Sequence, residues 1–208
     1  MKRTSEQAEN TRGKILDAAA HVFSRTGFAA SRLEDIAREA GLTRGAIYWH
    51  FENKQDLFRN LMQQRLGKIS ERLYSIYLSE APPAERLRHL LLESILNLET
   101  DSEYRGGIRL ALSMGLEEEK YEVMLTRRRE HIQMMIDYME KFLAECDSAG
   151  LLHPDVTPKL AARALIAWFD GIASLWLRTA NEPVLSMKLD GPGLVELVLR
   201  GILKESNK

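Results

Sequence analysis

Apolar residues recur at the three- and four-residue spacing of an α-helix along nearly the whole sequence. Ile15, Ala18, Ala19, Val22 and Phe23 form one such stripe, which lies on a single face of a helix. We find no alternating pattern of a half-buried strand and no Asn-Gly hairpin turn. The sequence therefore predicts an all-α fold of about nine helices.

Start and stop signals divide the N-terminal part into short helices. Gly27 is placed to end the first helix in a left-handed conformation, and Ser31 with Glu34 forms a capping-box pair that opens the second. Gly41 closes that helix after little more than two turns. A further short helix is expected at residues 43–51, with the threonine at its start as N-cap.

Longer helices are predicted in the rest of the chain. Asn53 caps the first of them, Pro82-Pro83 opens the next, and a looser segment is expected around residues 104–115. A long helix then ends near Gly150. Thr157-Pro158 supplies an N-cap followed by proline at the first helical position, which predicts the start of another helix.

The charge of the chain limits how it can bind a polyanion. The formal net charge is −1, so no bulk positive field attracts nucleic acid. Residues 1–60 hold ten Lys or Arg against eight Asp or Glu, and residues 61–208 hold nineteen against twenty-two. If DNA is the partner, binding must come from a local surface that is presented twice.

Two short helices joined by Gly41-Leu42, with a longer helix before them, have the layout of a helix-turn-helix. The second helix of that motif enters the major groove, where its first residues meet base edges and phosphates. Arg44 offers a fork suited to guanine, and Gly45 permits close approach of the backbone. This pattern predicts DNA binding by residues 43–51.

Aromatic and basic side chains extend this surface. Tyr48 and His50 can donate to phosphates, and Lys54 at the next helix N-terminus can help to hold another. The competing interpretation is a small amphipathic helix with aromatic residues on a core face, and periodicity alone does not separate the two. The predicted DNA contacts on and beside this helix are Thr43, Arg44, Gly45, Ala46, Tyr48, Trp49, His50 and Lys54.

A longer pattern surrounds this segment between positions 12 and 62. Its members are Ile15-Leu16-Asp17-Ala18-Ala19, Phe23, Gly27, Asp35-Ile36-Ala37, Ala40-Gly41, Gly45, Ile47-Tyr48, His50-Phe51, Lys54 and Leu57. In residues and spacing this stretch resembles the N-terminal domain of the TetR family of bacterial regulators. The variant at residues 42–51 is similar to the AcrR-type branch, which represses multidrug efflux pumps. One departure is Ser31-Arg32, where the family usually has two threonines, so Arg32 can alter a phosphate contact.

The resemblance implies a helix-turn-helix DNA-binding domain at residues 1–55 and an effector-binding and dimerisation domain at residues 56–208. Family members form homodimers through their last two helices, here about residues 157–180 and 189–204, and bind double-stranded operator DNA. The resemblance further implies that a hydrophobic small molecule enters the second domain and changes the separation of the two DNA-binding domains in the dimer. The expected function is therefore that of a ligand-responsive repressor, released from its operator by the effector.

The second domain offers residues for such an effector pocket. Its methionines adapt their shape to varied apolar molecules, although each can also be an ordinary core residue; they are Met114, Met124, Met134, Met135 and Met139. Asp170 lies in an apolar helix, where it either pairs with Arg109 or another base or offers a polar handle to a ligand. The predicted effector contacts are Leu92, Ile95, Leu96, Arg109, Leu112, Ser113, Ile132, Met135, Met139, Phe169 and Asp170.

Other functional classes find little support in the residues. The five histidines show no metal-ligand spacing, and Cys146 has no obvious basic partner in sequence. We therefore predict no metal, no cofactor and no enzymatic activity, with a helical enzyme as a remote alternative. The main alternative is a family member that controls a metabolic operon in response to an acyl compound or another metabolite.

The sequence also predicts a cytoplasmic protein that does not cross a membrane. The start is polar and has no apolar segment of a signal peptide, and a single cysteine fits a reducing compartment. The most apolar stretch, residues 160–177, is interrupted by Arg163 and Asp170, which favours a buried helix over a membrane span.

Overall fold

The computed structural model describes residues 2–113, 122–179 and 184–204. Nine helices lie in these ranges and no strand does, apart from an isolated bridge between Leu152 and Leu203. The prediction of an all-α fold is confirmed. The helices are α1 (Lys2–Ala30), α2 (Leu33–Glu39), α3 (Arg44–His50), α4 (Lys54–Tyr77), α5 (Pro83–Thr100), α6 (Ser102–Ser113), α7 (Glu122–Ser148), α8 (Pro158–Arg178) and α9 (Gly191–Arg200).

A first core joins α1, α2, α3 and the beginning of α4 into a head. Three rings at its centre lie 4.9–5.5 Å apart between centroids, those of Phe23, Phe28 and Phe58. Ile36 and Ile47, both fully buried, anchor the two short helices to it. One member of this core comes from much later in the chain, because Leu110 of α6 is also buried there.

Three helices begin at the side-chain caps that the sequence predicts. Thr43 accepts a hydrogen bond from the backbone N–H of Ala46 at 3.3 Å. Asn53 caps α4 through the N–H of Asp56 at 2.8 Å, and Thr157 caps α8 in the same way. Each side chain satisfies one of the N–H groups that a helix leaves open at its start.

The predicted capping box at the start of α2 is wrong. Arg32 is the N-cap residue, and its side chain makes no capping bond. Ser31 is buried instead, and its hydroxyl donates to the carbonyl of Phe28 at 2.7 Å. The serine therefore closes the end of α1 rather than the start of α2. Gly27 does take a positive φ of 74°, but α1 kinks there and continues to Ala30.

The looser segment predicted at residues 104–115 is also wrong over most of its length, because α6 occupies it as far as the structure describes the chain. Asp101 starts this helix by accepting the backbone N–H groups of Glu103 and Tyr104 at 2.9 and 3.0 Å. Gly107 packs closely against α4, since a Cβ there would lie 3.1 Å from Cδ1 of Ile69. That glycine reflects contact between helices and not a break in one.

A second core joins the remaining helices into a body. By length and composition α8 is the one described helix that could span a membrane. Its inner face is nevertheless part of this core, where Leu165, Phe169 and Trp176 are buried. Burial along one face in this way is typical of a core helix in a helical bundle.

Candidate nucleic-acid interface

The short helix α3 presents one face to the head core and the other to solvent. Ile47 is fully buried and holds the helix in place, while Ala46 and His50 are half-buried. Tyr48 and Trp49 are 46% and 76% exposed, which is unusual for large aromatic side chains. The remaining predicted contacts on this face, Thr43, Arg44 and Gly45, are exposed as well. The arrangement contradicts the alternative in which the aromatic residues face a core.

Arg44 is held by two neighbours at this surface. One of its terminal nitrogens lies 2.5 Å from a carboxylate oxygen of Glu34, and the other donates to the hydroxyl of Tyr48 at 2.8 Å. The Tyr48 hydrogen bond and then the Glu34 charge raise the pKa of Arg44. Sequence reasoning missed Glu34, because nothing in the spacing of two separate helices indicates this pairing.

Lys54 has a position that the sequence did not indicate. Its ammonium donates to the carbonyls of Phe28, Ala29 and Ser31 at 2.6, 3.2 and 2.9 Å. It also lies 4.4 Å from the centroid of the Phe28 ring. Three bonds use every N–H of an ammonium group, so the structure favours a supporting role over the phosphate contact predicted above. Arg32, in contrast, is exposed at the N-cap of α2.

The residues predicted to contact an effector are spread over the body at different depths. Ile95, Met139 and Phe169 are buried in the second core, and Arg109 is exposed. The half-buried members are Leu92, Leu96, Leu112, Ile132, Met135 and Asp170. Met114 and the side chains of Ser113 and Met124 lie outside the described residues.

Two pockets in the described part of the body are lined by other residues. One, of about 210 Å³, lies between α4 and the start of α6 and is lined by Arg65, Ile69, Arg72, Asp101, Glu103 and Tyr104. A second is an open groove along α7 that includes Met134 and Tyr138. Of the predicted effector residues, Ile95, Met139 and Phe169 belong instead to the body core, and Leu92 and Leu112 pack against it.

Asp170 acts on a histidine of the neighbouring helix. Burial lowers the pKa of His131, and the Asp170 carboxylate opposes this by raising it. This proximity favours the interpretation in which Asp170 interacts with a base of the protein. Among the described residues no group of His, Cys, Asp and Glu is arranged to hold a metal ion. Burial raises the pKa of the Cys146 thiol to about 11, so it is not an activated nucleophile.

The helices α8 and α9 each expose apolar residues. Along α8 these are Leu160, Ala164, Ala167, Gly171 and Leu175, which recur every three or four residues. Leu160 on α8 and Leu197 on α9 are 56% and 69% exposed. We call this surface, with Gly193, Leu197 and Gly201 of α9 and its end, the α8–α9 face.

Comparison with known proteins decides the family. The family model of the bacterial regulatory proteins, tetR family, matches residues 15–61, which form most of the head. The chain is 30% identical over 178 residues to the HTH-type transcriptional regulator AcrR of Shigella flexneri, covering 85% of this chain and 82% of that protein. It is 33% identical over 186 residues to TtgR of Pseudomonas putida, covering 85% of each. The chain belongs to the TetR family.

Solved structures of TetR-family regulators have the same fold. NalD, the secondary repressor of the MexAB-OprM multidrug efflux pump in Pseudomonas aeruginosa, superposes with a TM-score of 0.80 and 33% identity, over 97% of this chain and 100% of its own. SmeT in complex with triclosan gives a TM-score of 0.80 and 29% identity, over 95% and 93%. These relatives are transcriptional regulators and not enzymes. The resemblance to the TetR family and its efflux-type members is confirmed.

Proposed function

We propose that this TetR-family protein is a cytoplasmic, ligand-responsive repressor of a multidrug efflux operon, which acts by binding and not by catalysis. The observation that carries the proposal is the exposed face of α3, where Arg44, Tyr48 and Trp49 stand outside a helix anchored by Ile47. The efflux assignment is supported by relatives such as NalD, a repressor of the MexAB-OprM pump, over nearly the full length of both chains.

On DNA, α3 enters the major groove with its N-terminal end towards the bases. Arg44 supplies the fork for guanine, and Tyr48 donates to a phosphate or contacts a thymine methyl. Gly45, Trp49 and the other exposed residues of α3 complete the surface, and Arg32 contacts a phosphate. Lys54 supports this surface by holding the end of α1. The net charge of −1 makes a single copy a weak binder, so two copies are required.

The α8–α9 face supplies the second copy through a homodimer. Its leucines are exposed in one chain, and its alanines and glycines let a partner's helices approach closely. Two-fold symmetry then presents two copies of α3 to successive major grooves, about 34–36 Å apart for the simplest spacing.

The effector enters the apolar region among Leu92, Leu96, Ile132 and Met135 of the body. These side chains are half-buried, and a ligand that binds among them favours the conformer in which they have moved apart. A coupling of roughly 1–3 kcal/mol between the two sites changes operator occupancy substantially. SmeT, which binds triclosan in its solved complex, supports a hydrophobic drug as the effector class.

The first experiment tests DNA recognition at Arg44. We expect Arg44→Ala to weaken binding to an operator duplex by about 1–3 kcal/mol, because a bidentate contact to guanine is lost. The duplex is selected by the wild-type protein from a random library, and affinity is titrated at one fixed salt concentration. Arg38→Ala is the matched control, since Arg38 is also an exposed arginine but lies on α2 and not on α3. Equal affinity of wild type and Arg44→Ala removes Arg44 from base recognition.

The second experiment separates efflux control from metabolic control. Triclosan, other hydrophobic drugs and acyl-coenzyme A compounds are each titrated against the protein in a thermal-shift assay and against its complex with the selected duplex. A ligand at a hundred times its Kd stabilises the native state by about 2.7 kcal/mol. We expect the drugs to raise the Tm and release the DNA. Release by acyl compounds alone supports the metabolic alternative.

A further inference from the structure

The Arg44 guanidinium is fixed across the two helices of the helix-turn-helix. Glu34 lies in the first turn of α2, while Arg44 and Tyr48 lie on α3. The 2.5 Å contact to Glu34 therefore joins two elements, and the 2.8 Å hydrogen bond that Arg44 donates to the Tyr48 hydroxyl joins positions one turn apart on α3. The guanidinium carbon also stands 5.3 Å from the centroid of the Tyr48 ring. Arg44 is thus held from two sides before any DNA is present.

The helix that carries Glu34 is anchored in the head core. Its residues Leu33, Ile36 and Ala37 are buried there. Both side chains of the pair remain about half exposed, at 56% for Arg44 and 47% for Glu34. An exposed ion pair of this kind adds little to folding stability. The effect of the pair is therefore on the orientation of Arg44.

The geometry leaves Arg44 able to read a base. A guanidinium has five N–H donors, and the contacts to Glu34 and Tyr48 need only two of them. An arginine that is already oriented loses less side-chain freedom when it meets guanine than a free one does. Glu34 thus favours binding to DNA sites that place a guanine where Arg44 can contact it.

The charge of Glu34 has the opposite effect on DNA without that base. A carboxylate at a DNA-facing surface repels phosphates, whatever the sequence of the duplex. In complexes with unrelated DNA this repulsion remains, and the oriented guanidinium gains no base contact. One side chain thereby strengthens the specific complex and weakens the non-specific one.

We propose that Glu34 is a positioning residue that orients Arg44 for base recognition and so increases the preference of the protein for its operator over other DNA. The inference rests on the proposed function, because it requires that α3 reads bases.

The test measures a preference and not an affinity alone. Dissociation constants are determined for the duplex selected by the wild-type protein and for a scrambled duplex of the same composition, at one salt concentration. The preference is the Kd for the scrambled duplex divided by the Kd for the selected duplex. We expect Glu34→Gln to lower this ratio by about three- to tenfold, since part of a bidentate contact's discrimination is lost. Binding to the scrambled duplex becomes tighter or stays the same.

Asp35→Asn is the matched control. Asp35 lies beside Glu34 in the first turn of α2, but it pairs with Arg38 at 3.4 Å and not with Arg44. The Asp35→Asn substitution removes the same charge from the same end of α2. We therefore expect it to change binding to both duplexes alike and to leave the ratio at its wild-type value. In an Arg44→Ala background, where Glu34 has no guanidinium to orient, Glu34→Gln causes no further change in the ratio.

Three results overturn the inference: an unchanged ratio in Glu34→Gln, a raised ratio, or the same fall in Asp35→Asn. A raised ratio means that the carboxylate competes with DNA for Arg44. A wild-type protein that does not distinguish the selected from the scrambled duplex overturns the proposed function, and this inference with it. Failure of the inference alone leaves the wild-type preference intact.

Discussion

Lys54 shows how a single side chain sets the geometry of the DNA-binding head. It begins α4, yet its ammonium satisfies three carbonyls at and beyond the end of α1. Helix ends leave such carbonyls open, and a cation is favourable there because of the helix dipole. Lys54 therefore joins the end of α1 to the start of α4, the two helices between which α2 and α3 lie in the sequence.

This role predicts a loss of stability when the charge is removed. Lys54→Met keeps the aliphatic chain but leaves three carbonyls without their donor, and we expect the free energy of unfolding to fall by about 1–3 kcal/mol. Urea unfolding measures the change. Lys204→Met is the control, since Lys204 makes a single exposed bond of this type to Gly150 and should cost less. Weaker DNA binding with unchanged stability contradicts the supporting role and restores the phosphate contact.

Asp101 gives the fold a pH dependence. Its carboxylate accepts two N–H groups at the start of α6 and the guanidinium of Arg72, and these bonds lower its pKa. A lowered pKa in the folded state means that the ionised group stabilises the fold above its unfolded pKa of about 3.9. That stabilisation is lost as the pH falls through the folded value.

We therefore expect Asp101→Ala to cost about 1 kcal/mol of unfolding free energy at neutral pH, as for other helix caps. The difference from wild type shrinks below about pH 4, where the carboxylate is protonated in the unfolded chain, and it is lost as the pH falls through the lower pKa of the folded state. Urea titrations at neutral and acidic pH measure both values. Asp101→Asn keeps a capping oxygen without the charge and should show a smaller cost. If the difference in unfolding free energy between wild type and Asp101→Ala stays constant with pH, the carboxylate charge is not its origin.

The individual contacts differ in how far sequence can predict them. Thr43, Asn53 and Thr157 cap helices by bonds to residues three positions away, so a local pattern is enough. The pairs of Lys54 with α1 and of Glu34 with Arg44 join different helices. Their geometry depends on how the helices pack, which no local spacing contains.

At the scale of elements, α6 links the two parts of the chain. Gly107 lets it approach α4 closely, and Leu110 is buried in the head core while Leu112 packs against the body core. The sequence predicts a looser segment here, and the adjacent Gly106 and Gly107 do lower the helix propensity of this stretch. The close approach that explains one of them becomes visible only in the packed structure.

This position predicts that one residue of α6 controls the stability of the head. Leu110→Ala opens a cavity in the head core, and we expect it to cost about 2–5 kcal/mol. Hydrogen exchange should become faster in α1, α2 and the start of α4. Leu112→Ala, two residues away and half-buried against the body core, should leave those amides protected. Equal protection in both variants contradicts a role of Leu110 in the head.

At the scale of the whole molecule, head and body are also joined by charge. Arg65 of α4, only 16% exposed, lies 2.7 Å from Asp17 of α1 and 3.6 Å from Glu103 of α6. Arg65 thus connects α1, α4 and α6 through two ion pairs. Such a connection suits a protein in which a ligand in the body changes the position of the heads.

The proposed homodimer is tested at Leu197 on the α8–α9 face. We expect Leu197→Glu to convert the dimer to a monomer, because two like charges are placed at an apolar two-fold contact. Light scattering after size-exclusion chromatography measures the mass, and a titration measures the loss of affinity for the selected duplex. Leu78→Glu is the control, since Leu78 is 61% exposed at the end of α4. A Leu197→Glu protein that stays dimeric excludes this face.

The burial of Leu110 among the side chains of the first four helices has a consequence for how the protein is made. A ribosome completes the recognition helix early, but the gap that Leu110 fills persists until α6 has emerged. A nascent or truncated chain thus carries its recognition helix on an unfinished support. Order of synthesis therefore delays completion of the head core until α6 has been made.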